Sequence, residues 1–361
     1  MFPCLPGETF AKPVSTDAAR PAASASARFT VALLALLLPG AVCGSAAAGE
    51  PDHLTLYGAQ HPQMLDILVK GFKEQTGITV DVRTGDAPEI ANQIAEEGAS
   101  SPADLYITEN SPELLLLEEK GLLAPVDKTT LAQVPAQYSS ATGAWIGLLA
   151  RENVLQFNTS MVKEEALPAS LLDLAKPEWK GKVAISPTDA DFMPIVRAVE
   201  VLKGKDATLA WLKGLKDNAQ VYDDDEGVVA AVDRGSVAVG VINSYYWYRF
   251  RTEAGTDKIK SGIHHFSGGD AGALINISGA AALRSSKHPQ EAQKFLAYVV
   301  TKPAQEALAK SDIVFEYPLV AGVDTNRVLK PFSELQPPPL TITQLGDDVE
   351  PAQLLREAGL L

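Results

Sequence analysis

The residues with the clearest capacity for chemistry are the consecutive aromatic side chains Tyr245 to Tyr248, three of which are phenols. They directly follow Asn243 and Ser244, residue types that favour the start of a helix. Adjacent side chains on a helix point about 100° apart, yet two of them in a first turn can converge just beyond the helix terminus. A packed aromatic cluster is the alternative interpretation, and the sequence pattern leaves both open.

Paired phenols suit a hard, highly charged cation. A phenol has a pKa near 10, and it becomes a ligand only when a strong Lewis acid removes its proton. Ferric iron is strong enough and prefers anionic oxygen donors, whereas soft thiolates select copper or zinc. The two cysteines, Cys4 and Cys43, both precede the expected export cleavage point, so we expect no thiolate site in the exported chain.

The elements that must position these phenols alternate between short apolar strands and amphipathic helices. The pattern predicts strands over 54–58, 78–85 and 103–109, with helices over 62–77 and 88–98. This alternation predicts a parallel sheet with both faces covered. Ligands bind beyond the carboxyl ends of such strands, where His61 follows the first strand and Glu109 ends the third.

The second half of the chain continues the α/β pattern with different residues. We predict a strand and helix start over 181–192, helices over 207–218, 228–235 and 245–255, a strand over 236–244, and a helix pair over 289–311. The stretch 146–158 lacks helix or strand breakers and is suited to carry the chain from one lobe to another. A length of 361 residues also favours two lobes.

These residues together predict an Fe(III) site. Phenolates from Tyr245 and Tyr246 and the carboxylate of Glu109 would balance the charge of a ferric ion. His61 would add a neutral nitrogen, and an exogenous anion or water would complete an octahedral sphere.

The first 48 residues have the pattern of a signal peptide. An apolar run over 29–38 follows two arginines, and it is too short to span a bilayer. Small residues up to Ala48 favour cleavage there, whereas a cut before Cys43 would give a lipoprotein. We therefore expect export to the periplasm, or attachment to the outer face of the cytoplasmic membrane through Cys43.

Composition excludes several classes of function. The net charge of −14 argues against a DNA or RNA partner. Hydrophobic residues make up 46% and charged residues 21% of the chain, which is typical of a soluble globular protein. The sequence contains no nucleophile elbow, Walker loop, zinc-protease motif or dinucleotide fingerprint, so we predict that the chain is not an enzyme.

Several ordered motifs resemble those of the periplasmic ferric-ion-binding proteins, the bacterial transferrins. The motifs are LTLYGAQH (54–61), PADLYITEN (102–110), PEWKGKV (177–183), LAWLKGLKDN (209–218), INSYYWY (242–248), GALINISGAA (272–281) and EAQKFLAYVVTKPAQEAL (291–308). The resemblance extends over essentially the whole exported chain. It implies the metal ligands His61, Glu109, Tyr245 and Tyr246.

The resemblance also implies a fold and partners. We expect a type II periplasmic-binding-protein fold, two lobes with a mixed sheet each and a hinge between them. Lobe 1 would comprise 51–150 and 275–327, and lobe 2 would comprise 151–274 and 328–361, after a signal peptide over 1–48. The partners would be the permease and ATPase subunits of an ABC importer, served by a monomer whose closed, loaded form the permease recognises.

The expected anion subsite departs from the family pattern. Where phosphate-using members have a Ser-Gly-Ala turn and two asparagines, this chain has Asp189-Ala190-Asp191, Asp225 and Asn243. A helix start attracts anions, but ionised aspartates would repel phosphate. Carbonate, another anion or water completes the sphere, or an aspartate enters it. The equally weighted alternative is that these aspartates only cap the helix and lie in solvent.

Two other functions remain alternatives at this stage. A polyamine or other organic cation could occupy the same cleft, held by Asp189, Asp225 and the aromatic side chains. A secreted hydrolytic metalloenzyme is the alternative from a different class. We interpret the acidic run 223–226 as a solvated loop that borders the cleft.

Overall fold

Residues 53–361, the part of the chain that the computed structural model describes, form ten strands and twelve helices. The strands are β1 His53–Ala59, β2 Thr79–Thr84, β3 Leu105–Thr108, β4 Ile146–Asn158, β5 Val183–Ile185, β6 Ala219–Val221, β7 Val239–Asn243, β8 Ser261–His264, β9 Ile275–Ala282 and β10 Tyr317–Pro318. The helices are α1 Pro62–Thr76, α2 Ala87–Glu97, α3 Pro112–Glu119, α4 Lys128–Leu131, α5 Phe192–Lys203, α6 Lys205–Asn218, α7 Asp225–Asp233, α8 Ser244–Ala254, α9 Pro289–Val299, α10 Lys302–Ala309, α11 Ile342–Leu345 and α12 Val349–Ala358. The expected signal peptide over 1–48 and the attachment through Cys43 lie outside the described residues.

The first sheet region has the strand order β2-β1-β3-β9-β4. Strands β2, β1 and β3 are parallel, as their spacing with intervening helices predicted. Strand β9 returns antiparallel to β3 and also pairs with the first half of β4, so the region is a mixed sheet. Apolar side chains of α1, including Leu65, Leu68 and Phe72, are buried in the core of this region.

Strand β4 joins the two halves of the fold. All thirteen of its residues are buried. Its first half, from Ile146 to Glu152, pairs with β9, and its second half, from Asn153 to Asn158, pairs with β7 and β8. One unbroken strand therefore belongs to both sheet regions. This is where the sequence suggested a crossing between lobes.

The second sheet region has the order β4-β7-β5-β6, with β5 parallel to both of its neighbours. A second apolar cluster packs here, built from side chains of β5, α5, α6 and α12. The lobe boundaries at 150 and 151, 274 and 275, and 327 and 328 stay a prediction. Among the described residues, none of the helices has the length and apolar character that crossing a bilayer requires.

Candidate metal centre

The start of α8 holds the tyrosine pair in place. Asn243 ends β7 and is the N-cap of α8, and its side-chain oxygen accepts a hydrogen bond of 3.2 Å from the backbone N–H of Tyr245. This confirms the N-cap that the sequence predicted. Tyr245 and Tyr246 consequently lie in the first helical turn, beyond the carboxyl end of a buried strand.

Four predicted ligand side chains come together at this helix start. The His61 ring stacks on the Tyr245 ring with a centroid distance of 3.8 Å and an interplanar angle of 7°. The Tyr246 ring stands edge-on to both, 5.7 Å from His61 and 5.4 Å from Tyr245. Glu109 completes the group, with its Oε2 3.8 Å from Nε2 of His61. The loops after β1 and β3 thus meet the start of α8.

Two of these side chains present donor atoms that have no partner in the structure. Nε2 of His61 and the phenol oxygen of Tyr245 are both buried and have no hydrogen-bond partner among residues 53–361. Buried polar atoms nearly always have a hydrogen-bond partner. Two buried atoms without one, on side chains that are in contact, therefore indicate a site that binds a ligand. His61, Glu109 and Tyr246 also line a cleft of about 640 Å³. His61, with its unpaired nitrogen, therefore lies at the edge of a space that can admit a ligand, and Tyr245 stacks directly behind it.

The protonation states at this centre follow mainly from burial. Burial lowers the pKa of His61 well below 6.5, and the nearby Arg151 acts in the same direction, so the imidazole is neutral at pH 7. Burial raises the pKa of Tyr245 to about 12 and that of Tyr246 well above 10. Burial also raises the pKa of Glu109 to about 8, against the opposing effect of Arg151. Without a cation, the phenols keep their protons.

Arg151 is the residue at this centre that the sequence prediction missed. It lies in the middle of β4 and is fully buried. Its Nη1 lies 3.1 Å from Oε2 of Glu109, and its Nη2 lies 2.6 Å from Oδ1 of Asp191. The available signal was the polar group Arg151-Glu152-Asn153 in the middle of the strand-like stretch 146–158. Its two carboxylate partners could not be read from the sequence because they lie about forty residues away on either side.

A direct contact across the cleft accompanies this ion pair. The side-chain amide of Asn110, just after β3, donates a hydrogen bond of 2.8 Å to Oδ1 of Asp191, just before α5. Both residues are buried. Because β3 and α5 belong to different sheet regions, this bond holds the two halves of the fold together beside Glu109.

The residues expected at an anion subsite form a compact acidic network. Asp189 is half-buried beside Ala190 on the cleft wall, and its carboxylate accepts the backbone N–H groups of Asp191 at 2.9 Å and Asp225 at 3.0 Å. Burial and the nearby Asp191 raise the pKa of Asp189 to about 6. Asp189 therefore connects the residue before α5 to the first residue of α7.

The expectation that these aspartates lie in solvent is wrong for Asp225. It is 2% exposed, because Oδ1 accepts a 2.6 Å hydrogen bond from the Ser186 hydroxyl and Oδ2 accepts a 2.7 Å bond from the Asn243 backbone. Asp191, 1% exposed, is also buried rather than solvated. The interpretation of 223–226 as a solvated loop holds for Asp223 and Asp224, which line the cleft, and is wrong for Asp225.

Comparison with known proteins decides the family. Residues 68–330 match the model of the bacterial extracellular solute-binding proteins. The chain is 42% identical over 318 residues to the Fe(3+)-binding periplasmic protein of Serratia marcescens, covering 88% of this chain and 94% of that one. It is 34% identical over 312 residues to the major ferric iron-binding protein of Neisseria meningitidis serogroup A, covering 85% and 93%. This chain belongs to the periplasmic ferric-ion-binding family.

Solved structures support the same family assignment. The iron-bound HitA of Pseudomonas aeruginosa superposes with a TM-score of 0.82 at 42% identity, covering 86% of this chain and all of that one. The ferric binding protein of Campylobacter jejuni gives a TM-score of 0.79 at 26% identity, covering 85% and 99%. The predicted α/β fold of the type II periplasmic binding proteins is thereby confirmed. Like its relatives in the periplasmic ferric-ion-binding family, this chain is a solute-binding protein and not an enzyme.

Proposed function

We propose that this chain is an exported binding protein that captures one ferric ion and delivers it to an ABC importer. The ligands would be His61 Nε2, a carboxylate oxygen of Glu109 and the phenolate oxygens of Tyr245 and Tyr246. The proposal is supported most by the convergence of two unpaired buried donor atoms, His61 Nε2 and the Tyr245 oxygen, beside the Glu109 carboxylate. The names of the relatives point to the same cargo.

The protonation states favour a trivalent cation as cargo. The neutral imidazole of His61 has a lone pair to donate, whereas both phenols are protonated at pH 7 without a cation. Only a strong Lewis acid displaces phenol protons whose pKa is raised further by burial. Three anionic oxygens then balance the charge of Fe(III), whereas a divalent ion would leave a net negative charge on the ligand set.

Water, hydroxide or an aspartate oxygen is proposed to complete the iron sphere, in place of phosphate. Asp189 and Asp225 are the residues that the family resemblance implies at the anion subsite, and the Asp225 carboxylate already accepts two hydrogen bonds from the protein. The cleft is also lined by Asp223 and Asp224. A multiply charged anion entering there would meet like charges in a partly dry space, which costs several kcal/mol.

Export and delivery complete the proposal. The relative from Serratia marcescens is named a periplasmic protein, and the apolar run over 29–38 supports export of this chain. We propose that the chain acts as a monomer, holds the ion between the sheet regions that share β4, and presents the loaded form to the permease and ATPase assembly. Release would follow from reopening of the cleft with return of protons to the phenols, or from reduction to Fe(II), which binds phenolate less well.

A visible titration tests the proposed ligands. Adding ferric nitrilotriacetate to the iron-free protein should produce a phenolate-to-iron charge-transfer band that saturates at one ion per chain. The double variant Tyr245→Phe and Tyr246→Phe should lose the band, while Tyr248→Phe in the same helix should keep it. A band of unchanged intensity in the double variant would refute the assignment.

The acidic lining of the cleft favours one second candidate ligand, an organic polycation. Several carboxylates at the mouth, including Asp86, Glu89 and Asp223, would attract such a ligand. Calorimetry of the iron-free protein with spermidine and with ferric citrate separates the two. Ferric binding without spermidine binding supports the iron proposal, and the reverse result supports the polycation.

A further inference from the structure

A second cavity, of about 280 Å³, lies away from the candidate metal centre between α2, α3 and α12. Its lining includes the carboxyl groups of Glu113, Asp347 and Asp348, together with Pro88 and Arg356. The space corresponds to roughly nine water molecules at liquid density, more than a single metal ion needs. Nothing in the proposed capture of iron uses these residues.

Two of the carboxylates in this cavity have oxygen atoms that lack a hydrogen-bond partner in the part of the chain that the structure describes. Glu113 is 3% exposed, and both of its carboxylate oxygens are buried and unpaired within residues 53–361. The same holds, within these residues, for Oδ1 of Asp348. Asp348 is the N-cap residue of α12, yet its side chain makes no capping hydrogen bond. Carboxylates enclosed in this way are costly unless they meet a cation or keep a proton.

The charge of this carboxylate pair is not balanced by the protein in the region that the structure describes. Arg356 is on the cavity lining, but none of the carboxylates among residues 53–361 lies within 4.0 Å of its guanidinium. Burial, with Asp348 adding to it, raises the pKa of Glu113 well above 4.5. Burial also raises the pKa of Asp348 to about 7. A cation placed between these two groups would relieve both penalties.

The remaining walls select the type of cation. Ala91, Leu116, Val349 and Ala352 line the cavity with apolar surface. A hydrated metal ion gains nothing from such walls, whereas the hydrocarbon part of an organic ammonium ion does. We infer that this cavity binds a small alkylammonium ion, with its charged nitrogen between Glu113 and Asp348 and its alkyl chain on the apolar walls.

The position of the cavity gives such binding a structural consequence. Helices α2 and α3 flank the first sheet region, whereas α12 packs against α5 and α6 of the second. Pro88 lines both this cavity and the cleft at the candidate metal centre. An ammonium ion here would contact helices of both sheet regions and stabilise the arrangement in which they meet.

Calorimetric titration of the mature protein with n-butylammonium chloride at pH 8 tests the inference. We expect saturable binding that is weakened at least tenfold in Glu113→Gln and in Asp348→Asn. Glu119→Gln, an exposed change on the same helix α3, should leave the affinity unchanged. Butanol, which has the alkyl chain without the charge, and calcium chloride, which has charge without the chain, should both bind at least tenfold more weakly.

Two controls keep the outcome interpretable. Circular dichroism and the ferric charge-transfer band should be the same in Glu113→Gln as in the parent, because Glu113 is not on the lining of the cleft that holds the proposed iron ligands. Loss of butylammonium binding with the band retained supports the inference independently of the iron proposal. Absence of saturable butylammonium binding, equal binding by both acidic variants and the parent, or tighter binding of calcium would overturn it.

Discussion

Replacing Arg151 by glutamine removes the only cation that contacts two buried carboxylates at the candidate centre, in the part of the chain that the structure describes. The guanidinium lies 3.1 Å from Glu109 and 2.6 Å from Asp191 and is fully buried. Removing one partner from a buried ion pair costs about 3–5 kcal/mol, because the other partner stays buried without compensation. We expect the iron-free variant to lose about this much of its free energy of unfolding at pH 8.

Urea unfolding followed by circular dichroism measures this loss. The midpoint should fall while the slope of free energy against urea stays unchanged. A matched control is Arg197→Gln, since Arg197 also pairs with two carboxylates but is partly exposed. This control should lose no more than about 1 kcal/mol. Ferric loading should reduce the effect of Arg151→Gln, because the bound cation would then stabilise Glu109.

A loss below about 1 kcal/mol in Arg151→Gln would refute this reasoning. It would mean that Glu109 and Asp191 find other partners or keep protons at no cost. A loss as large in Arg197→Gln would also contradict it, because the effect would then not depend on burial.

Three further predictions follow from the same geometry. Burial raises the pKa of Glu316 from 4.5 to about 7, so ionisation of this residue opposes folding. The cost to the unfolding free energy is absent below pH 4.5 and complete above about pH 7. Glu316→Gln should therefore add about 3 kcal/mol to the unfolding free energy at pH 8 and nothing at pH 4. Ferric binding should release the protons of both phenols and of Glu109, whose raised pKa of about 8 keeps it protonated at pH 5–6. The logarithm of the affinity should therefore rise with pH by about three for each pH unit between 5 and 6 beyond any change in the ferric chelator, by about two in Tyr246→Phe, and by about three in the control Tyr248→Phe, measured by competition titration. Asn243→Ala removes the hydrogen bond to the Tyr245 N–H and should cost about 1 kcal/mol in urea unfolding, most of which Asn243→Ser should restore; an unchanged midpoint in the alanine variant would contradict the capping role.

The sequence predicted the parts of the fold that depend on local pattern. The alternation of strands and helices from residue 54 to 109 gave the three parallel strands, and the Asn243-Ser244 pair gave the start of α8. Because parallel strands end at one edge of a sheet, the pattern also indicated that His61 and Glu109 would lie near each other. Their contact with the tyrosines was implied by the family resemblance, since no local pattern relates residues that far apart.

The features that the sequence did not predict depend on contacts over long distances in the chain. Arg151 lies in the middle of β4, and only the pairing of this strand with strands from both sheet regions places it between Glu109 and Asp191. From the sequence, we interpret Asp225 as part of a solvated acidic loop. In the structure its carboxylate is buried and accepts a hydrogen bond from the backbone N–H of Asn243, eighteen residues away. Burial of a charged side chain is decided by such partners, which hydrophobic periodicity does not encode.

Helices α3 and α12 show the same limit for local structure. In α3 the apolar residues form one continuous run, so the sequence has no helical period to recognise. Helix α12 does have an apolar face, which packs against α5 and α6 some 150 residues earlier in the chain. The cavity with its buried carboxylates exists only because these two helices meet.

Anomalous diffraction at the iron absorption edge, from a crystal of the ferric-loaded protein, tests the central proposal most directly. We expect one strong peak within bonding distance of four ligand atoms: the phenol oxygens of Tyr245 and Tyr246, His61 Nε2 and a Glu109 oxygen. A peak elsewhere, or phenol oxygens that point away from the metal and make only hydrogen bonds, would contradict it.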